Sequence, residues 1–206
     1  MSDMGMKKDN IFEKLESQQW LYGSANDYPE VLAALRRAAD VCHQINFMPP
    51  YEVDKRRVLL KELLGEISDT ATVNPPFRCD FGFNIYIGQG SVINFNLTVL
   101  DEASVTIEDN VMIGPNCQLI TITHALDEEQ RVDGVMQARP IRICKGAWLA
   151  AGVTVLPGVT IGEGAVIGAG SVVTKSIPAG VLAVGNPCHV LRSIDDGDIV
   201  DGVTEM

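Results

Sequence analysis

Large aliphatic residues recur at a spacing of six over residues 141–175 of this chain. The series is Ile143, Leu149, Val155, Ile161, Ile167 and Val173. A period of six fits neither an α-helix, whose sides repeat about every 3.6 residues, nor a simple strand, which alternates at every second residue. A fixed period of this kind indicates stacked units that bury their apolar faces against one another. We therefore predict a solenoid in which three six-residue segments close one triangular coil.

The same spacing appears earlier in the chain, with one interruption. Its members are Ile87, Ile93 and Val99, followed after two extra residues by Ile107, Ile113 and Leu119. Between Leu119 and Ile143 the spacing is lost, and residues 124–140 are mostly polar or charged. We predict that this run is a long loop extending from one coil, and such loops in compact folds are usually functional. Fully extended it could reach about 50 Å, far enough to cover a neighbouring subunit.

The pattern divides the chain into three parts. Residues 1–70 are expected to be helical, residues 71–190 to form the coils, and residues 191–206 to form an acidic, loosely held tail. Prolines in the segment 71–77 break any helix before the coils begin. The expected helices cover about 11–20, a stretch starting at the candidate cap Asp27 with Pro29 in its first turn, and about 51–64, with Gly65 as a left-handed cap.

Composition limits the possible functions and locations. The net charge of −11 makes general attraction to nucleic acid or to anionic membranes unfavourable. The five cysteines are widely spaced and form no Cys-x-x-Cys pair, which excludes a zinc ribbon and suits free thiols in a reducing compartment. The sequence shows neither a signal-peptide pattern nor a run of 18 apolar residues. We therefore expect a cytoplasmic protein without nucleic-acid or membrane partners.

Longer blocks of the sequence resemble the hexapeptide-repeat acyltransferases, in particular the maltose and galactoside O-acetyltransferases. The most specific blocks are Asn-Pro-Pro-Phe-Arg-Cys-Asp-Phe-Gly at 74–82 and Asn-Phe-Asn-Leu-Thr-Val-Leu-Asp at 94–101. The resemblance implies a mainly β fold, a left-handed parallel β-helix with an N-terminal helical segment and one long excursion loop. It also implies acetyl-CoA as co-substrate, no requirement for a metal, and a homotrimer with active sites between subunits.

His124, at the start of the predicted loop, is the candidate catalytic residue. Acetyl transfer to a hydroxyl requires a base near the attacking oxygen. A histidine with the ordinary pKa of about 6.5 is largely neutral at pH 7, so it can accept that proton and return it to the leaving thiolate. Such a step needs no covalent enzyme intermediate. Judged alone, a histidine at this place is more often an ordinary surface residue, and the family resemblance favours the catalytic role.

The resemblance also assigns residues to the sugar acceptor. They are Ser24, Asp80, Val92, Asn94 and Glu102, with Met136 of the loop as an apolar wall. Short polar groups of this kind recognise sugar hydroxyls. Relatives often carry Tyr in place of Val92 and Asp in place of Glu102, and galactoside enzymes carry Asp in place of Ser24, so Ser24 favours the maltose type. Asn94 could instead belong to a ladder of stacked side chains at a coil corner.

The acetyl-CoA site is expected along the regular coils. Coenzyme A is long, anionic and partly aromatic, which suits a groove beside flat coils with a few cationic side chains. The candidate residues are Ala151, Ala169, Thr174, Lys175, His189 and Arg192. His189 stands where relatives often carry a cofactor-binding arginine. Lys175 and Arg192 could equally be solvated surface charges.

Three other functions are alternatives to sugar O-acetylation. Zinc carbonic anhydrases use similar coils with three histidines around the metal, but here His43 falls in the helical part and His189 beyond the coils. An N-acetyltransferase acting on an amino sugar or another small amine could use the same histidine. A non-catalytic trimeric scaffold would keep the fold alone. The prediction is an enzyme that acetylates a sugar hydroxyl of maltose, glucose or galactoside type.

Overall fold

The computed structural model describes residues 10–200 and 203–204. The N-terminal part of this range is helical. They are α1 (Ile11–Glu16), a 3-10 helix (Ala25–Asp27), α2 (Pro29–Phe47) and α3 (Val53–Leu63). Helix α1 ends earlier than predicted. Asp27 does not cap α2, because Tyr28 occupies that position; the Asp27 carboxylate instead accepts a hydrogen bond from the backbone N–H of Ser24, 2.7 Å away.

Gly65 is not the left-handed cap that the sequence predicted. Its φ lies outside the left-handed region, and Leu64 follows α3 in an extended conformation. A side chain at this position would place its Cβ 2.3 Å from the carbonyl oxygen of Phe83. Glycine is therefore required here because two backbone segments approach closely, and not because the residue adopts a left-handed backbone conformation.

From residue 66 onwards, short strands stack into a three-sided solenoid. In chain order they are β1 (Glu66–Ile67), β2 (Thr72–Val73), β3 (Phe77–Cys79), β4 (Ile85–Ile87), β5 (Val92–Ile93), β6 (Leu97–Leu100), β7 (Val105–Ile107), β8 (Met112–Ile113), β9 (Gln118–Ile120), β10 (Ile122–His124), β11 (Met136–Ala138), β12 (Ile141–Ile143), β13 (Trp148–Leu149), β14 (Thr154–Val155), β15 (Thr160–Ile161), β16 (Val166–Ile167), β17 (Val172–Val173), β18 (Val181–Val184) and β19 (His189–Ser193).

Three parallel sheets form the sides of the solenoid. The first face contains β1, β4, β7, β12 and β15; the second contains β2, β5, β8, β13, β16 and β18; the third contains β3, β6, β9, β14 and β17. Ile143 pairs with Ile161, whereas Ile87 pairs with Ile107, so the earlier coil is two residues longer. This difference is the interruption seen in the sequence. The predicted β-helix of hexapeptide coils is confirmed.

The six-residue series forms the interior of the solenoid. Ile143, Leu149 and Val155, one from each face, are fully buried, as are their neighbours in the next coil. Each pairs in register with the equivalent residue above and below, which produces three continuous apolar ladders. Burial of these side chains is the main stabilising contribution to such a fold, since no coil can bury its apolar face alone.

The excursion at 124–140 has regular structure. Strands β10 and β11 pair in antiparallel fashion, and helix α4 (Glu128–Val132) lies between them. The Asp127 side chain caps α4 by accepting a hydrogen bond from the backbone N–H of Gln130 at 3.0 Å. The long loop expected from the polar composition is therefore a hairpin with a short helix at its tip.

At the C-terminal end, β19 folds back against β18 of the second face. Residues 191–193 belong to this strand, which corrects the expectation that they are part of a loose tail. Arg192 donates a hydrogen bond to the carboxylate of Asp198 at 2.7 Å, so the following segment is tied to the strand. The division of the chain at residues 70 and 190 stays a prediction.

Candidate active site

The hairpin places His124 at the end of β10, opposite Met136 in β11. The N-terminal segment lies against the same strand, because Leu21 and Met136 exchange two backbone hydrogen bonds of 2.8 and 2.9 Å. The segment that follows Leu21 contains Ser24, so this pairing brings Ser24 from the helical part of the chain towards the histidine. The His124 side chain is exposed.

A cavity of about 410 Å³ opens beside His124. Its polar lining comes from Ser24, Glu102 and His124 together with Tyr22 and Tyr28. The remaining wall is apolar and includes residues of α1, of α2, Phe81 and Met136. Four of the predicted site residues therefore line one cavity, namely Ser24, Glu102, His124 and Met136.

The turns that follow the third-face strands stack on one another, and we call this column the third–first corner. Asp80 follows β3, Glu102 follows β6, and β9 leads through Thr121 to His124. Thr121 ties two levels together, since its backbone N–H donates to Leu100 and its hydroxyl accepts from the backbone N–H of Ala103. Successive coils thus bring together polar residues that lie about twenty positions apart in the sequence.

Asp101 is fully buried at this corner. Its carboxylate accepts hydrogen bonds from the backbone N–H groups of Asp80, Phe81 and Gly82 at 3.1, 2.8 and 2.7 Å. Burial raises the pKa of Asp101 to about 6, although the backbone donors act in the opposite direction. Sequence reasoning did not single out Asp101 as a site residue; its position in the specific block 94–101 was the available signal. Its role is to hold the turn that carries Asp80.

Glu102 brings to the cavity a buried carboxyl oxygen without a hydrogen-bond partner in the described part of the chain. Burial raises its pKa well above the usual range, and the hydrogen bond and negative charge of Asp80 raise it further. Its Oε2 atom is buried and has no hydrogen-bond partner within residues 10–200 and 203–204. A protonated Glu102 can both donate and accept hydrogen bonds, which gives the cavity a neutral acid beside the histidine.

Asp80 interacts with Glu102 but lines a second, neighbouring cavity. That cavity has a volume of about 340 Å³ and is lined by Asp80, His43, Arg78 and the two cysteines Cys42 and Cys79, among others. Asp80 is therefore brought to Glu102 but does not itself line the His124 cavity. Ser24 is also partly engaged, because its hydroxyl donates to the Asp27 carboxylate at 3.1 Å.

Val92 and Asn94 lie on another side of the molecule. Val92 belongs to β5 of the second face, and Asn94 begins the turn between the second and third faces. Neither lines the His124 cavity. The Asn94 side chain accepts a hydrogen bond from the backbone N–H of Phe95 at 2.9 Å; the stacked pair at this corner is Asn96 with Asn116, 3.0 Å apart. One chain alone does not bring these two residues to the histidine.

The predicted donor residues flank the third face. Ala151 and Ala169 occupy stacked turns between the second and third faces, where the backbone N–H of Gly170 donates to the Ala151 carbonyl at 2.9 Å. Thr174 and Lys175 follow β17 at the third–first corner, and all four side chains are exposed. His189 and Arg192 lie instead on β19 at the edge of the second face. Arg192 is paired with Asp198, so its charge is already partly neutralised.

The outer surface of the second face is apolar. Val92, Met112 and Trp148 stand in register on neighbouring strands and are 41%, 55% and 46% exposed. Equivalent outward positions on the first face carry Tyr86, Thr106 and Arg142. We call the row Val92, Met112 and Trp148 the apolar stripe. Aligned exposed apolar side chains of this kind mark surfaces that contact other proteins or ligands.

The described part of the chain shows neither a metal-binding cluster nor a membrane-spanning helix. Within residues 10–200 and 203–204, no group of three or more His, Cys, Asp or Glu side chains is arranged to hold a metal ion. None of the helices in these ranges has the length and apolar character required to cross a membrane.

Three family models match the sequence in separate regions. The model described as bacterial transferase hexapeptide (six repeats) matches residues 140–175, and the maltose acetyltransferase hexapeptide capping motif matches residues 21–68. The hexapeptide repeat of succinyl-transferase matches residues 104–123. The matches cover part of the coils and also the segment 21–68, which contributes Ser24 and α2 to the His124 cavity.

Full-length relatives are similar over most of the chain. The galactoside O-acetyltransferase of Escherichia coli is 44% identical over 162 residues, which is 79% of this chain and 80% of the relative. Nodulation protein L of Rhizobium meliloti is 44% identical over 170 residues, which is 82% of this chain and 92% of the relative.

Solved structures show the same similarity. A galactoside acetyltransferase in complex with coenzyme A superposes with a TM-score of 0.87 at 37% identity, covering 96% of this chain and 99% of the other. A maltose O-acetyltransferase from Clostridium difficile gives 0.85 at 37% identity, with 90% and 97% covered. A hexapeptide-repeat acetyltransferase from Vibrio cholerae, complexed with acetyl coenzyme A, gives 0.83 at 34% identity, with 91% and 100% covered.

Proposed function

Because this chain belongs to the hexapeptide-repeat acetyltransferases, in the group of the galactoside and maltose O-acetyltransferases, we propose that it transfers the acetyl group of acetyl-CoA to a sugar hydroxyl. The observation that carries the proposal is the cavity in which His124, Glu102 and Ser24 converge. This cavity offers a base, a neutral acid and a hydroxyl within one partly apolar enclosure, as a sugar acceptor requires.

His124 acts as the general base in this reaction. Its neutral imidazole accepts the proton of the acceptor hydroxyl as the oxygen attacks the thioester carbonyl. The proton then passes to the sulfur of coenzyme A when the C–S bond breaks, so the histidine ends in its starting state. Transfer is direct, and the enzyme forms no covalent intermediate. The exposed position of His124 on β10 leaves room for both substrates to approach it.

Glu102 and Ser24 hold the acceptor by its other polar groups. The neutral Glu102 carboxyl forms a hydrogen bond with the sugar through its Oε2 atom, which has no hydrogen-bond partner among the described residues. Burial, together with the hydrogen bond and negative charge of the neighbouring Asp80, raises the pKa of Glu102 and favours its protonated form. Phe81 and Met136 provide apolar surface for the C–H face of a sugar ring.

A second copy of the chain completes the site. Val92 and Asn94 are separated from the His124 cavity within one chain, so they contribute to acceptor binding only from a neighbouring subunit. The apolar stripe, which includes Val92, gives such a neighbour an aligned hydrophobic surface to contact. A closed ring of three copies repeats one heterologous contact three times and generates three such sites. The homotrimer is therefore part of the proposal.

Acetyl-CoA binds along the third face. Ala151 and Ala169 present small side chains at one border of that face, which permits close approach of the pantetheine arm to the backbone. Thr174 and Lys175 stand at the other border, where an ammonium group and a hydroxyl are suited to the phosphates. His189 and Arg192 extend the site towards the C-terminal strand. The five free cysteines support a reducing location, the cytoplasm.

An acceptor panel tests the proposal and separates it from N-acetylation. The neighbouring carboxyl groups of Asp80 and Glu102 would also suit the ammonium of an amino sugar, which makes that alternative worth measuring. Thiol release from acetyl-CoA is followed with maltose, glucose, a thiogalactoside and glucosamine, and the products are identified by mass spectrometry and NMR. We expect an O-acetylated sugar. Acetylation only at nitrogen would replace the proposal, and no acetyl transfer to any acceptor would favour a non-catalytic scaffold.

A further inference from the structure

Two cysteines lie next to each other beside the candidate active site. Cys42 belongs to α2 and Cys79 is the last residue of β3, and their Sγ atoms are 3.8 Å apart. A disulfide requires about 2.05 Å between the sulfurs, so a movement of about 2 Å would connect them. The proposed acetyl-transfer mechanism uses neither thiol.

The contact between the two cysteines is fixed by the surrounding structure. Asn46 lies one helical turn after Cys42, and its side-chain amide makes two hydrogen bonds with the backbone of Phe77, at 2.8 and 2.9 Å. Residues four positions apart share one face of a helix, so this amide clamp holds the Cys42 face of α2 against β3. The sulfurs are thus neighbours because of a specific helix–strand contact.

A cavity opens beside the pair, in which Cys79 is partly exposed and Cys42 is buried. The cavity of about 340 Å³ that contains Asp80 is also lined by both cysteines, together with His43 and Arg78. The thiol of Cys79 lowers the pKa of Cys42 by hydrogen bonding, and the positive charge of Arg78 acts in the same direction. The thiolate is the form of cysteine that attacks disulfides, and we assign the first attack to Cys42.

We propose that Cys42 and Cys79 are a reversible oxidation site that forms an intramolecular disulfide with a small-molecule disulfide as the oxidant. The Cys42 thiolate attacks one sulfur of the reagent, whose S–S bond breaks and releases a first thiol after protonation. Cys79 then gives up its proton and attacks Sγ of Cys42, and a second thiol leaves. Two protein thiols are oxidised to one disulfide, and one reagent disulfide is reduced to two thiols.

The disulfide also changes acceptor binding, a part of the inference that rests on the proposed function. Cys79 immediately precedes Asp80, and the turn 80–82 is held by the buried Asp101 carboxylate. Pulling Cys79 towards α2 displaces Asp80 from Glu102 and shifts Phe81, which lines the His124 cavity. The donor residues lie in later coils. Oxidation should therefore weaken binding of the sugar and leave that of acetyl-CoA unchanged.

The test treats the folded protein with oxidised glutathione. Thiol titration should show the loss of two of the five thiols, and mass spectrometry of a non-reduced digest should identify the peptide that joins residues 42 and 79. Dithiothreitol should restore both thiols. Cys79→Ser should abolish the cross-link, whereas the control Cys144→Ser should leave it intact. Five retained thiols, or stable glutathione adducts without the cross-link, would overturn the inference.

A second readout separates this inference from the proposed function. The oxidised wild-type protein should show a several-fold higher KM for the sugar and an unchanged KM for acetyl-CoA, and oxidised Cys42→Ser should not. Equal kinetics of the oxidised and reduced forms would overturn the effect on the acceptor. If the reduced protein transfers no acetyl group, the proposed function fails, while the cross-link still decides whether the oxidation site exists.

Discussion

At the scale of single residues, burial decides what the carboxyl groups of Asp101 and Glu102 can do, because it raises the pKa of both. Asp101 and Glu102 are adjacent in sequence, yet they have different roles because one side chain turns into the core and the other faces the cavity. The buried carboxyl of Asp101 holds a backbone turn through three N–H donors. The Oε2 atom of Glu102 has no hydrogen-bond partner among the described residues, and we propose that it binds the acceptor.

Glu102→Gln should keep most of the activity at neutral pH, because the raised pKa of Glu102 means that the carboxyl is already neutral there. As pH rises through that pKa, the wild-type group ionises and loses its donor, so wild-type acceptor binding should weaken while that of the variant does not. The KM for the sugar, measured in both proteins over a pH series, checks this. Parallel pH profiles would show that Glu102 does not act as a neutral acid.

Lys175→Ala should raise the KM for acetyl-CoA more than the KM for the sugar. An exposed ion pair contributes about 0.2–1 kcal/mol, so the expected increase is about 1.4-fold to fivefold. The matched control is Lys145→Ala, an exposed lysine at the corner between the first and second faces. Initial-rate kinetics with each substrate varied in turn provide the measurement, and equal changes in both KM values would argue against a donor-side role.

Residue roles were only partly accessible from the sequence. His124, Glu102, Ser24 and Met136 were proposed through family resemblance, and the structure places all four around one cavity. The Cys42–Cys79 contact could not be predicted, because it depends on how α2 packs on β3, and no periodic pattern encodes that packing.

At the scale of structural elements, the coils were predictable because each six-residue segment repeats one requirement. Every side of the triangle needs one large inward side chain, so the spacing of aliphatic residues gives the strands directly. The helix ends and the excursion were less predictable. Helix α1 is shorter than the range that the sequence predicted. The polar composition of residues 124–140 gave no sign of the hairpin formed by β10 and β11. These features are set by contacts with distant segments and not by local sequence.

Neighbouring residues of β9 provide a test of the coil interior. Leu119 is fully buried in the third-face ladder, whereas Gln118 points outward and is exposed. Leu119→Ala should lower the free energy of unfolding by about 2–5 kcal/mol through the cavity that it leaves. Gln118→Ala should change it by about 0.5 kcal/mol or less. Urea unfolding of both variants is the measurement, and equal effects would contradict the assigned register.

At the scale of the whole molecule, the solenoid separates residues that the proposed site brings together. His124 stands at the third–first corner and Asn94 at the corner between the second and third faces. Sequence reasoning alone could not show this separation, because both residues belong to blocks that match the same family. The geometry of one chain therefore supports the assembly that the resemblance implied.

Mixing two inactive variants tests whether the site is shared between copies. Asn94→Ala and His124→Ala chains, co-expressed with different tags and purified as mixed assemblies, should regain about a third of wild-type activity, because each mixed cyclic trimer leaves both residues intact at one of its three interfaces. Mass determination by light scattering should give trimers. Activity no higher than that of the separate variants would mean that one chain does not lend Asn94 to the His124 of another.

The most direct test of the central claim is the turnover of His124→Ala with acetyl-CoA and the best sugar acceptor, beside wild type and the exposed-histidine control His43→Ala. Loss of a general base should lower kcat by about 100-fold or more. The melting temperature should stay close to that of wild type, since the His124 side chain is exposed. The control should turn over normally. Near wild-type turnover in folded His124→Ala would remove the histidine from the mechanism and contradict the account.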